Sequence, residues 1–262
     1  MYIATLTTIN EMHKGILLIW SYKFDLLIQL LTLAFIFIGI SYFMGGGELQ
    51  PEQLSATLLG YMVWFYASSA VSNMSWDLRE ETQVGTLEQM YMSPVRPALL
   101  LLGRTVANLL TTTIMVVVMG GVLVLALGIP LPLRWEGLPV FVITLVGLFG
   151  FGFIIGGATL IFKHSESLAN LFQNALLFLN GALLPVDQLP DWLEAFALTM
   201  PTTQGIIVLR DVMIEGQSLG AVWADGSLIW LITHSLVYFI VGWAVFAYCE
   251  RIAKQRALLG QY

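Results

Sequence analysis

The chain has 262 residues, of which 58% are hydrophobic and only 11% charged, with a formal net charge of −6; its mean hydropathy is +0.82. A water-soluble domain carries about 25% charged residues and could not hide this much apolar surface, so a bilayer must be the solvent for most of the chain. No basic run points to nucleic acid, and the single cysteine, Cys249, excludes an internal disulfide.

Residues 1–25 place Ile3, Leu6, Ile9, Met12, Ile16 and Trp20 at helical spacing, with Thr7, Asn10, Glu11 and Lys14 between them. The pattern predicts an amphipathic helix lying in the cytoplasmic interface; a frayed extension of the first span is the alternative. The first apolar run begins only near Leu26, is long enough to span, and ends without a small-residue cleavage site. The whole chain is therefore expected to persist in the mature protein.

Six apolar runs are long enough to cross a bilayer, which takes about 20 helical residues. They are placed at about 26–47, 53–76, 98–129, 137–162, 167–186 and 226–249, the third overlapping the charge-free stretch 105–133. The ten-residue alternation of a barrel is not visible, so helices are expected. Lys14, Lys23, Arg79, Arg96, Arg104, Lys163, Arg251, Lys254 and Arg256 all fall on one side of this arrangement, nine of the eleven basic residues; Arg134 and Arg210 are the other two. The positive-inside rule then puts both termini in the cytoplasm, with 77–97 a cytoplasmic loop and 250–262 a cytoplasmic tail.

The stretch 187–225 does not fit a simple span. Asp187, Asp191 and Glu194 precede an uncharged run, 195–209, that contains Pro201 and would reach only about 22 Å as a helix. It is predicted to be a short external or re-entrant helical hairpin dipping into the outer leaflet; a failed seventh span is the alternative. The fold class is thus an all-α integral membrane protein in a single transmembrane domain. It has six transmembrane helices, an N-terminal interfacial helix, and the hairpin before the last span.

Chemistry-bearing motifs are sparse. There is no Gly-x-x-x-x-Gly-Lys-Ser/Thr phosphate loop. His13, His164 and His234 are too scattered for a metal site, and no catalytic constellation is found. His234 lies within the last span, where an ionisable group is functional by default but a neutral histidine packed on a neighbouring helix is commoner. Every Asp and Glu falls outside the six runs, which argues against a proton-driven carrier. Gly152 and Gly156 form a Gly-x-x-x-Gly pair suited to close helix approach. Trp64, Trp76, Trp192, Trp223 and Trp243 sit mostly near span ends and are read as interfacial anchors.

The informative loop is 77–97, the longest and most charged connection between spans on the predicted cytoplasmic side. Val84, Leu87 and Tyr91 fall on one helical face beside Glu88 and Gln89, a face that could dock a partner or simply be a solvated connector. Its pattern Glu80-Glu81…Gly85-Thr86-Leu87-Glu88-Gln89…Ser93-Pro94, with Gly103-Arg104 opening the next helix, resembles that of permeases of type 2 ABC exporters. So do Leu179-Asn180-Gly181-Ala182-Leu183-Leu184-Pro185, Leu189-Pro190-Asp191-Trp192-Leu193, Met200-Pro201 and Leu209-Arg210. The resemblance covers essentially the whole chain.

The resemblance implies a permease subunit without a catalytic site or cofactor of its own. ATP and Mg would be held by a separate ABC ATPase subunit, and the permease would pair with a second copy or a paralogue in the lipid of a prokaryotic plasma membrane. It implies that Glu80, Glu81, Gly85, Thr86, Leu87 and Glu88 form the element that docks and couples to the ATPase. Arg104 would anchor the third helix at the inner headgroups.

In the fifth span, Asn170, Gln173 and Asn174 share a helical face, with Asn180 and Gly181 further along. Amides facing lipid are costly, so these should face protein or water. They line either the conduit or the dimer seam, or they bond to helices of the same subunit. The cargo is expected to be a drug-like or lipid-like amphiphile, with a polysaccharide or lipid-linked glycan as the alternative. A self-sufficient secondary carrier or channel, and a membrane-embedded enzyme or assembly factor, are the competing functions.

Overall fold

A computed structural model describes residues 17, 21–49, 51–84, 97–162 and 165–256. Nine α-helices follow one another among them: α1 Lys23–Met44, α2 Pro51–Val84, α3 Pro97–Leu127, α4 Gly137–Ile161, α5 Ser165–Leu179, α6 Asp191–Ala197, α7 Thr203–Met213, α8 Leu219–Ala224 and α9 Ser227–Gln255. A 3-10 turn, Val186–Gln188, lies between α5 and α6. The expected all-α membrane class is what the chain adopts. Most of the predicted interfacial helix lies outside the described residues.

Five helices, α1, α2, α3, α4 and α9, are long and apolar enough to cross a membrane. The predicted fifth span, 167–186, is not a single helix. Its helical part, α5, has 15 residues, about 22 Å of rise, and stops at Leu179. The stop has a local cause. The Asn180 side chain accepts the Ala182 amide at 2.9 Å, capturing the backbone in a tight turn. Gly181 takes φ +81°, a left-handed conformation that favours glycine. Pro185 follows and could not continue a helix.

The crossing that α5 begins is finished by α7, as the packing register shows. Gly60, nine residues into α2, faces the Ala182 backbone, which sets the end of α5 about 13 Å below the start of α2. Tyr238, eleven residues into α9, donates to the Thr199 carbonyl at 2.5 Å, about 16 Å below the start of that helix. Gly205 then meets Thr144, seven residues into α4, and Leu209 and Met213 flank Gly137 at its start. The chain between α5 and α9 therefore re-enters to mid-depth and climbs back along α4. α2 is also longer than its apolar run. It continues as helix to Val84, through the first part of the segment predicted as a loop. Its 34 residues span about 51 Å, well beyond a hydrocarbon core of about 30 Å.

The most extensive contact in the bundle is α4 against α9, and glycines bring it about. A Cβ on Gly150 would sit on the Tyr238 carbonyl and the Phe239 amide. A Cβ on Gly242 would sit on the Gly150 carbonyl, and one on Gly147 would crowd Ser235. Gly152, of the predicted Gly152/Gly156 pair, faces α2: a Cβ there would meet only the Ala70 carbonyl, at 3.7 Å. Trp64 is also not an interfacial anchor; it is 9% exposed and lies within the bundle. Trp76, Trp192, Trp223 and Trp243 are exposed, as anchors would be. His234 stacks on Trp230 and meets Tyr238 edge-on, packing along its own helix.

Gly150→Ala is expected to force α4 and α9 apart and to lower stability by about 1–3 kcal/mol. Gly152→Ala should stay within about 0.5 kcal/mol of the parent. Thermal unfolding of the detergent-solubilised protein distinguishes the two.

Candidate functional site

The break after Leu179 is held by a row of contacts along α2. The residues involved are Ala56, Gly60, Trp64, Ser68 and Ser72, spaced four apart and therefore one ridge of the helix. Trp64 Nε1 donates to the Gln173 carbonyl at 2.9 Å. Ser68 Oγ donates to Gln173 Oε1 at 3.1 Å, and Gln173 Nε2 donates to Ser72 Oγ at 2.7 Å. Gly60 admits the Ala182 backbone to a distance any side chain would prevent. The Ala56 carbonyl accepts from Arg210 Nη2 at 3.3 Å, and the same nitrogen donates to the Ala182 carbonyl, also at 3.3 Å. One ridge of α2 thus grips α5, the turn after it and α7.

The predicted amide face divides in two. Gln173 turns inward onto Ser68 and Ser72. Asn180 is fully buried, bonded to the Ala182 amide and donating to Thr202 Oγ1 at 3.1 Å; it splices the two halves of the broken crossing. Asn170 and Asn174 instead lie on the exposed side of α5, beside Leu171 and Phe178, both more than half exposed. Amides on a face that would otherwise meet lipid need a polar partner from elsewhere. Of the predicted coupling residues, Glu80 and Glu81 fall on the last turns of α2. Gly85, Thr86, Leu87 and Glu88 lie outside the described residues.

Two cavities accompany this framework. A cleft of ≈ 580 Å³, counted out to its open mouth, lies between α2, α3 and α4. Tyr66, Asn73, Thr105, Asn108 and Thr112 give it a polar side, and Leu145 and Phe149 an apolar one. Tyr66 is fixed there by its hydroxyl bond to Thr113 at 2.9 Å.

The second cavity, of ≈ 640 Å³ counted out to its open mouth, lies at the start of α2, between its first two turns, the 183–185 turn and Arg210. Arg210 is part-buried, and its Nε has no hydrogen-bond partner. A guanidinium keeps its charge in a part-buried setting. Sequence reasoning gave Arg210 no role. The signal was there, in a basic residue set apart from the nine that fall together on one side of the predicted spans. The α2 ridge was also visible as small or polar residues at intervals of four, interrupted only by Trp64.

A family described as ABC-2 family transporter protein matches residues 49–244. Among curated proteins the chain is similar to the probable multidrug ABC transporter permease YbhR of Escherichia coli (strain K12), at 23% identity over 173 residues, 61% of this chain and 46% of that protein. It is also similar to the probable doxorubicin resistance ABC transporter permease protein DrrC of Mycobacterium tuberculosis (strain ATCC 25618 / H37Rv), at 26% over 160 residues, 59% of this chain and 56% of that one. A third relative is ABC transporter G family member 20 of Dictyostelium discoideum, at 24% over 186 residues, 70% of this chain and 25% of that one. The chain spans about half the length, or less, of these curated relatives.

Asn180→Leu strands the Ala182 amide and the Thr202 hydroxyl in a buried setting, where each unmet group costs about 1–3 kcal/mol. The variant should melt well below the parent. Asn174→Leu removes no bond within the subunit and should change the isolated chain's stability by no more than about 0.5 kcal/mol. Parallel thermal melts read both.

Proposed function

The chain belongs to the ABC-2 family of transporter proteins, membrane components of ABC transporters, and from that premise we propose that it is a permease that exports an amphiphile on energy supplied by a separate ATPase. The observation that carries this reading is the continuity of α2. One unbroken helix, Pro51–Val84, runs from the ridge that grips the broken crossing into the segment assigned to ATPase docking. A rigid helix transmits displacement along its length. A push on Glu80, Glu81 and the Gly85–Glu88 segment would therefore move Gly60, Trp64 and Ser68 together, and with them α5 and the Ala182 turn.

Asn170 and Asn174 on the outer side of α5 are the residues we assign to the conduit or the seam with a second permease copy. Their amides need a polar counterpart that the described residues of this subunit do not provide, and a facing copy or a hydrated pathway would supply it. The cleft between α2, α3 and α4, polar on one side and apolar on the other, suits a drug-like or lipid-like molecule entering from the bilayer better than a polysaccharide. Names of the relatives point the same way: YbhR is described as a probable multidrug permease and DrrC as a probable doxorubicin resistance permease. In this reading ATP and Mg stay on the ATPase, lipid surrounds the pair, and both termini face the cytoplasm of a prokaryotic plasma membrane.

Replacing Gly85, Thr86, Leu87 and Glu88 together is expected to abolish transport in proteoliposomes containing the ATPase, while folded permease is still recovered. Undiminished transport would remove the coupling assignment. A second measurement addresses the seam. Asn174→Cys should give an oxidation-dependent dimer band in membranes, whereas Asn180→Cys, buried inside one subunit, should not. If Asn174→Cys remains monomeric while the complex transports, the seam lies elsewhere.

A further inference from the structure

We propose that the cavity beside Arg210 is a receptor for a phosphate-bearing anion, either the headgroup of an anionic lipid or free phosphate. The inference does not depend on the export reading, since it stands on the cavity alone.

A guanidinium carries five N–H donors. The recorded bonds from Arg210 come from one nitrogen, Nη2, and reach two backbone carbonyls at 3.3 Å each, the long end of the hydrogen-bond range. Its Nε is buried and unpartnered. Among the described residues no acidic group closes an ion pair with it. Asp187, exposed on the 3-10 turn, acts only through space. A part-buried guanidinium with an unmet buried donor favours a counter-charge beside it, and a cavity large enough to admit one opens onto it.

The rest of the lining fits the same occupant. Gln53, Thr57 and Gln188 offer side-chain donors for further anion oxygens, while Met44, Leu183 and Leu184 offer apolar surface. Gln53 and Thr57 lie in the first two turns of α2, so the cavity reaches from Arg210 and the 183–185 turn toward the end of the bundle, where a headgroup would enter. Arginine is the side chain best matched to phosphate geometry, and an apolar wall beside it is what the glycerol and first methylenes of a lipid would cover.

The test uses the full chain purified in a neutral detergent and titrated with three probes: dihexanoylphosphatidylglycerol, neutral dihexanoylglycerol and inorganic phosphate. The phosphatidylglycerol should bind at least about tenfold more tightly than the neutral diacylglycerol. Arg210→Gln should lose that preference. Because Arg210 also holds two carbonyls, that variant could fail to fold, so a second pair carries the test. Leu184→Glu places a negative charge at the cavity wall and should weaken phosphatidylglycerol binding about tenfold. Leu184→Gln, of the same size without the charge, should leave it within about twofold. Inorganic phosphate that matches the lipid in affinity identifies free phosphate as the occupant, and phosphate that binds far more weakly identifies the lipid headgroup; both support an anion receptor. Equal binding of the charged and neutral glycerolipids without phosphate binding, or identical behaviour of the Leu184→Glu and Leu184→Gln variants, overturns the proposal.

Discussion

Backbone amides and carbonyls at membrane depth have no water to bond with, and each one left unmet costs several kcal/mol. A helix that stops partway through a bilayer therefore survives only if the protein itself supplies the missing partners. The break after Leu179 is the point in this molecule where that constraint bites. The Asn180 carboxamide accepts the Ala182 amide N–H at Oδ1 and donates a hydrogen bond from Nδ2 to Thr202 Oγ1. Arg210 takes the Ala182 carbonyl. The bare face of Gly60 lets the turn lie directly against α2. Removing any of these leaves a polar group in a place where solvent cannot repair it.

The same contacts tie the break to the longest helix in the chain. Ala56, Gly60, Trp64, Ser68 and Ser72 form one stripe, and every partner in that stripe belongs to α5, the turn after it or α7. Two small residues permit close approach, two hydroxyls and an indole fix the register, and the result is a helix pair joined along its length. On the other side of the bundle, α4 and α9 are joined through glycine-to-backbone contacts at Gly147, Gly150 and Gly242. α7 lies against both α4 and α2. The broken crossing is thus clamped between two rigid pairs, which makes it the place where relative motion of those pairs would be felt.

How much of this was legible in the sequence depends on which physical signal each feature leaves. Long charge-free runs mark spans directly, and five of the six predicted runs correspond to single long helices, α1, α2, α3, α4 and α9. The run 167–186 misled because hydropathy averages over Asn180, Gly181 and Pro185, each a turn signal whose meaning depends on what lies opposite. The Gly152 and Gly156 spacing shows that a helix face can be approached but not by which neighbour, and the close crossing uses other glycines. Trp64 looked like an anchor because tryptophans favour interfaces; its position on the ridge, four residues from Gly60 and four from Ser68, was the better clue. Arg210 was set apart by its charge and its hairpin was predicted as external or re-entrant, but which carbonyls its guanidinium reaches depends on the packing register.

The Arg210 cavity and the α2 ridge share a wall, and this has an energetic consequence. Gln53, Ala56 and Thr57 of α2 form one side of the cavity, Leu183 and Leu184 form another, and the Arg210 guanidinium bridges both through the Ala56 and Ala182 carbonyls. Any shift of α2 against the 182–185 turn must change the distance between those carbonyls, and with it the position of the charge. An anion held by Arg210 then stabilises one arrangement of α2 over another, and by linkage the arrangement of α2 changes the affinity for the anion by the same factor. The anion site would follow only that part of a displacement at the Val84 end, about 40 Å away at ~1.5 Å per residue of intervening helix, that shifts α2 against the turn instead of carrying the turn with it. No separate relay is required, because the rod that carries the motion is itself part of the binding site.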